Sequence, residues 1–395
     1  MLTNQFVDAL SSKRKGARLR ALKKLAKIRG EKEYCDDTLL SIHTDYSFSP
    51  YSPSLACFMA DKFGLRLAGI MDNYTLSGAD EFIKASKILG VTYSTGVQIR
   101  AKFDFLGGAF YNVSVMGIAS RFFKDVEKRL SIFQQNQYSN VLKTTEEINA
   151  RFEKYGVKID FKKDVLSQVK KSKSKVYLSK YAYFSLSKNL KEKFSKEKVV
   201  EILKELGLNL TNEEIKLLTV ENNMYYEYDL ASILFLQKSK FSAKKNYENA
   251  ASAVALSKDV GAICSFEYEI LEKLEDNDEN KKELSSLIEN LKKLGFDGFS
   301  FDPSKMDEGL RNAVFDKLNE LEMLPFLLSS IEFPRQDFKF RFPDERSENL
   351  MKQSSYVVVG SEMSQNQTAE GYVLSSLNVN FEDKVRLFAK IGRGE

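Results

Sequence analysis

T-L-L-S-I-H-T-D-Y-S-F-S-P-Y-S-P occupies residues 38–53, and L-A-G-I-M-D-N stands at 67–73. Residues 38–43 and 67–72 are apolar runs of strand length. Between them, residues 53–63 open on Pro53 and are followed by Gly64, the proline-first, glycine-last asymmetry of an α-helix. Ser77 then heads a helical stretch to Leu89, as its cap, with Glu81 near the first turn and Gly90 behind it. Residues 91–99 form the next strand. Strand–helix alternation of this length predicts an α/β fold with a parallel sheet or barrel, in which ligands sit at the carboxyl ends of the strands. Those ends fall at His43, Asp72 and Gln98.

Outward from this stretch, residues 109–118 read as another strand. Residues 120–260 are mostly helical and Lys-rich, with weak linkers near 171–175 and 207–212, and interrupt the alternation as an insertion. Strands resume at 261–268, 296–301, 324–331 and 356–360, with helices at about 280–294 and 307–321. The expected organisation is a basic helical segment (1–35), a first barrel part (36–119), a helical insertion (120–260), a second barrel part (261–362) and a tail (363–395).

The chain has 395 residues, 43% hydrophobic and 29% charged, the profile of a large soluble globular protein. Its three cysteines, Cys35, Cys57 and Cys264, form no metal-binding pair and read as free thiols in a reducing compartment. No apolar run approaches the ~20 residues that span a bilayer, and no secretory signal is read, so a cytoplasmic location is expected. A net charge of +5 permits an anionic partner without requiring one. The single histidine rules out a His-rich metal centre, and no G-x-S-x-G elbow, P-loop or H-E-x-x-H is present.

In the basic lead-in, Leu19, Leu22, Leu25 and Ile28 recur at helical spacing among Lys13, Arg14, Lys15, Arg18, Arg20, Lys23, Lys24 and Lys27. One reading is a patch for nucleic acid or acidic lipid. The plainer one is a solvated helix that docks its leucines on the core.

The motifs S-I-H-T (41–44), S-F-S-P-Y-S-P (47–53), G-I-M-D-N (69–73), S-G-A-D-E-F (77–82) and T-G-V-Q (95–98) come in one order. In that order they resemble the PHP (polymerase and histidinol phosphatase) family, and most of all a bacterial branch with the S-F-S-P-Y-S-P turn. V-S-V-M-G-I (113–118), E-I-N-A-R-F (147–152), G-V-K-I-D-F (156–161), D-V-L (164–166), G-A-I-C-S-F-E-Y (261–268), F-P-R-Q-D-F (333–338) and V-V-V-G-S-E (357–362) extend the resemblance over roughly residues 1–362. It implies a distorted, TIM-like β/α barrel holding two or three divalent metals, such as Mn, Zn, Fe or Mg, for phosphoester hydrolysis.

The departures fall on the ligand positions that the resemblance implies. Ser41, Asn73 and Gln98 stand where the family has His, His and Glu, while His43 and Asp72 remain; Met116, Lys180 and Ser361 align with later histidines. Neutral Ser, Asn and Gln are poor ligands for such metals. The residual metal candidates are His43 and Asp72, and for a hard cation the oxygen donors Asp45, Asp72, Glu81, Asp302 and Glu332. Lys180, with Arg100, Lys102 and Arg335, could instead favour an anion. The leading expectation is a pseudoenzyme that holds no cofactor and binds a phosphorylated or acidic ligand, or a protein partner, with no role for nucleic acid or membrane. The alternatives are a weak metal-dependent phosphoesterase on His43 and Asp72, and nucleic-acid binding through the N-terminal helix.

Overall fold

The computed structural model of the chain describes residues 7–29, 34–171, 176–237, 246–365, 371, 372 and 379–395. Among these, eight strands form one sheet: β1 (Cys35–Ile42), β2 (Leu65–Asn73), β3 (Thr92–Phe103), β4 (Ala109–Met116), β5 (Ile263–Glu267), β6 (Gly298–Phe301), β7 (Leu324–Leu327) and β8 (Ser330–Ile331). Their order is β7-β6-β5-β4-β3-β2-β1-β8. Only β4 runs antiparallel to its neighbours. β7 and β8 occupy opposite edges, yet only Leu328 and Ser329 separate them in the chain. Two residues cannot cross an open sheet whose strands lie about 4.8 Å apart. The sheet therefore curls until one bent segment pairs with β6 at one end and β1 at the other. This is a curled, barrel-like α/β fold, the class expected.

Local chemistry sets the elements. The helix Pro53–Lys62 starts where Ser52 accepts a hydrogen bond from the Leu55 amide, with Pro53 in its first turn. β2 is buried along almost its whole length, as a parallel strand covered on both faces must be. At Gly69 a Cβ would stand 2.4 Å from the Leu40 carbonyl oxygen, so only glycine allows β1 and β2 to approach there. Ser77 does not cap the next helix. That helix, Ala79–Leu89, begins after Gly78 without a side-chain cap, and the Ser77 hydroxyl bonds Glu127 instead.

The expected strand at 356–360 is helical. V-V-V-G lies inside the helix Glu345–Gln365, where Tyr356 to Glu362 are buried without interruption. A short apolar β-branched run buried on all sides has no period to distinguish the two states. This helix, which runs past the boundary expected at 362, closes the barrel end where the strands begin. Tyr356, Val357, Val358 and Val359 pack with Leu67, Met71, Met116, Ile263, Leu324 and Phe326. Thr38 Oγ1 bonds Ser355 Oγ at 3.1 Å and the Tyr356 hydroxyl bonds Asp36 at 2.6 Å. The helix Phe381–Arg393 lies over it.

Between β4 and β5 the described residues contain helices and no strand. Of the linker expected near 171–175, residues 172–175 lie outside the described residues. Two of the helices, Lys180–Lys193 and Tyr226–Leu236, pack on the opposite barrel end, the mouth where the parallel strands finish. Phe48 holds them there, its ring 5.2 Å from Tyr181, 5.5 Å from Phe184, 5.6 Å from Tyr228 and 6.2 Å from Phe333. Its φ of 71° lies in the left-handed region, a strain that packing on four sides maintains.

The helix Lys15–Arg29 docks through fully buried Leu22, while Ile28 is 65% exposed and leaves the leucine stripe. Arg18, expected among the solvated cations, is fully buried. Its Nε donates to Glu81 Oε1 at 2.7 Å, and its Nη2 pairs with Oε2. No described helix is long and apolar enough to cross a membrane.

Candidate functional site

Strand register gathers polar side chains at the barrel mouth. Asn73 of β2 is paired with Gln98 of β3, Gln98 with Ser114 of β4, and Ser114 with Ser265 of β5. Glu267 ends β5, and Glu332 follows β8 directly. His43, one residue beyond β1, is tied to β8 by its amide, which donates to the Ile331 carbonyl at 2.9 Å.

His43 is fully buried. Asn73 Nδ2 lies 3.0 Å from its Nδ1, so Nδ1 accepts and the neutral ring carries its proton on Nε2. Nε2 faces Glu332 Oε1 at 3.2 Å, without hydrogen-bond alignment. Burial lowers the His43 pKa to about 4; the Glu332 carboxylate opposes that shift and the Lys180 ammonium reinforces it. The other Glu332 oxygen accepts from Lys180 Nζ at 2.6 Å. Lys180 is buried, its Nζ 5.1 Å from the Phe235 ring and 5.9 Å from that of Phe333.

Glu267 is the second carboxylate of the mouth. Gln98 Nε2 donates to both of its oxygens, at 3.0 and 2.8 Å, and Ser114 Oγ donates to Oε1. Burial raises its pKa, the Ser114 and Gln98 bonds pull it back, and nearby Glu332 adds to the rise. Glu267 lies within G-A-I-C-S-F-E-Y (261–268) and is absent from the candidates that the sequence offers. Its position at a strand end was the available signal.

Asp72 and His43 do not bond each other. Asp72 accepts from the Thr44 amide at 2.6 Å, Thr44 Oγ1 at 2.6 Å and Ser47 Oγ at 2.5 Å. Ser47 stands between the two, its Oγ also 3.3 Å from His43 Nδ1. Burial lifts Asp72 to about 6 against these bonds.

The remaining expected residues divide. Ser41 lies beside Ser330 of β8, and its buried Oγ has no partner among the described residues. Ser361 is not at the mouth. It sits on the helix Glu345–Gln365, 3.3 Å from the Gly261 carbonyl and accepting from the Tyr372 amide at 2.8 Å, beside the start of β5. Arg335 is not aimed into the cluster either. Its Nε donates to both Asp229 oxygens, at 3.1 and 3.0 Å, and its Nη2 to Asn223 Oδ1 at 3.0 Å. Arg100 bonds Asn112 and the Phe110 carbonyl, and Lys102 pairs with Asp104. Glu81 is spent on Arg18, and Asp302 caps its own turn through Ser304.

The donors present do not fit a multinuclear metal centre. Among the described residues, no three His, Cys, Asp or Glu side chains gather to hold an ion. Each strand-end carboxylate already faces an ammonium, an amide or hydroxyls. A cation entering there would have to break those bonds and sit beside the Lys180 charge.

No protein-family model and no curated protein matches the sequence. Solved structures do match in fold. One, from Bifidobacterium adolescentis ATCC 15703, is described as a metal-dependent phosphoesterase. It has a TM-score of 0.54 and 16% identity, covering 80% of this chain and 96% of that one. Another, an amidohydrolase of Chromobacterium violaceum described with bound sulfate and no metal, has a TM-score of 0.52 and 12% identity, covering 78% of this chain and 92% of that one. At these identities the likeness is one of fold.

Proposed function

We propose that this chain is a pseudoenzyme, a barrel of the metal-dependent hydrolase type that acts by binding and hydrolyses no phosphoester. The observation that carries this reading is the internal satisfaction of the strand-end carboxylates: Glu332 by Lys180, Glu267 by Gln98 and Ser114, Asp72 by Thr44 and Ser47. Such a cluster substitutes one fixed ammonium for the charge of several metal ions. Metal analysis of the purified protein after soaking in Mn²⁺, Zn²⁺ and Fe²⁺, with an assay on a generic phosphoester, tests it. Less than about a tenth of an equivalent of metal and no turnover are expected. Turnover that needs metal and disappears in Asp72→Ala would overturn it in favour of the weak phosphoesterase.

The ligand we favour is a phosphorylated or acidic small molecule that takes the place of Glu332 on Lys180. Two observations support it: the ammonium stands within the mouth, and a protein of similar fold is described with sulfate and no metal. Calorimetric titration with inorganic phosphate and sulfate tests this. Binding lost in Lys180→Met supports it, and no heat, or heat unchanged in that variant, refutes it.

A further inference from the structure

The helix Lys15–Arg29 contains no acidic residue. Its buried side carries Arg18 and Leu22, fixed by the Arg18–Glu81 pair and by the core. Its opposite side carries Arg20, Lys23, Lys24 and Lys27, all exposed. At i, i+3, i+4 and i+7 these four fall within an arc of about 100°, a stripe about 10 Å long. None of the four has a carboxylate partner among the described residues.

The neighbouring helix Ala79–Leu89 runs alongside, with Lys15 paired to Asp80 and Arg18 to Glu81. It adds exposed Lys84 and Lys87. Its two acids are both engaged, Asp80 by Lys15 and Lys84, Glu81 by Arg18. Glu31 and Glu33 follow in the sequence, outside the described residues.

We infer that this two-helix platform docks on the phosphodiester backbone of a nucleic-acid duplex, without reading sequence. Cations along one line, four of them with no carboxylate partner among the described residues, suit a row of phosphates, the contacts that carry sequence-independent affinity. The first helix has no aromatic residue, and the second has only fully buried Phe82. Base stacking, which single-strand binding uses, therefore has no platform here. A membrane surface is disfavoured, because interfacial helices insert their apolar face into lipid and here that face is committed to the core. The stripe shares no residue with the barrel-mouth cluster, so its test stands or falls independently of the pseudoenzyme reading.

The test is fluorescence anisotropy of the full chain with a labelled random-sequence DNA duplex of about 30 base pairs, between about 50 and 200 mM salt. Four phosphate contacts predict a log–log salt slope of about −3.6, a loss of affinity of roughly a hundredfold over that range. The triple change Lys23→Glu, Lys24→Glu, Lys27→Glu should abolish binding at the low-salt end. The control Lys158→Glu, Lys163→Glu, on exposed lysines of the helical stretch, should leave it intact. The inference would be overturned by no binding at low salt, by equal loss in the control, or by sedimentation with phosphatidylserine vesicles while the duplex stays free. Retained binding in the triple variant would do the same. All these positions are solvent-exposed, and a circular dichroism spectrum confirms that the variants fold.

Discussion

Lys180 Nζ lies 2.6 Å from Glu332 Oε2, joining the first residue of a helix over the barrel mouth to the residue that follows the last strand. The same carboxylate faces His43 through its other oxygen. Three side chains from three distant parts of the chain thus share one buried charge system. Removing either member of such a pair leaves the other charge without compensation.

Because the chain has one histidine, the His43 ring gives a single imidazole signal that reports on this system. In the native protein that signal should titrate near pH 4. Lys180→Met removes a cation that lowers the His43 pKa, so the midpoint should rise. Glu332→Gln removes the carboxylate that raises it, so the midpoint should fall. A folded His43 below its unfolded value binds fewer protons than the open chain between about 4 and 6.5, so this group's contribution to stability falls as pH drops through that window. Proton NMR of the two variants checks both directions, and a midpoint unmoved by either change would sever His43 from the pair.

Arg18 and Glu81 form a pair with both side chains about 1% exposed, and Ser54 also donates to Glu81 at 2.6 Å. Arg18→Met leaves a buried carboxylate, and the expected loss is about 3–5 kcal/mol in urea unfolding. Arg18→Met combined with Glu81→Leu should recover much of that loss. If the single variant unfolds like the native chain, the pair is not what fastens the first helix.

Most of the barrel was legible because its strands are bounded by glycine and proline and separated by helices of ordinary length. β1 to β7 fall within a few residues of expectation for that reason. The 356–360 run failed because a helix buried on every side has no polar face to give a period. At the mouth, His43, Asn73, Gln98 and Lys180 do converge, each held by a partner in the cluster. Glu267 was missed because Gln98, its partner, lies 169 residues away. Arg335 and Ser361 do not reach the mouth, because neither residue type nor alignment with a motif says which way a side chain points. Arg335 instead meets Asp229, and Ser361 sits at the far end of the barrel.

The helices Glu345–Gln365 and Phe381–Arg393 touch at backbone distance. A Cβ on Gly360 would stand 2.0 Å from the Phe388 carbonyl oxygen, and one on Gly392 2.0 Å from that of Tyr356. Neither obstacle is a flexible side-chain tip, so the helices must separate to admit a methyl group. Gly360→Ala and Gly392→Ala should each destabilise by about 1–3 kcal/mol or more, although alanine is the better helix former. Thermal unfolding checks this, and a gain in stability in either variant would contradict the close approach.

Glu362 is buried on the helix that closes the barrel, and burial raises its pKa to about 8 against bonds from Thr95 and Ser94. The Thr95 amide donates to Oε2 at 2.9 Å, near the point where β4 ends and leaves β3 short of a partner. Thr95 Oγ1 gives its own hydrogen to the Ile118 carbonyl at 2.5 Å. Its contact with Glu362 Oε1 at 2.9 Å is then best met by a protonated carboxyl that donates. The sign follows from linkage. Between about 4.5, its ordinary value, and about 8, the folded chain holds a proton that the unfolded chain has released. Stability from this group is therefore complete below the lower value and is lost as pH rises through the upper one. Glu362→Gln keeps the donor and cannot ionise. It should match the native chain at pH 5 and exceed it at pH 9 by a few kcal/mol, on about 1.4 kcal/mol per pH unit. Urea unfolding of the two proteins across that range isolates the group, because every other titration is common to both. A difference that stays constant with pH would mean that Glu362 is ionised in the fold and that Thr95 donates both bonds.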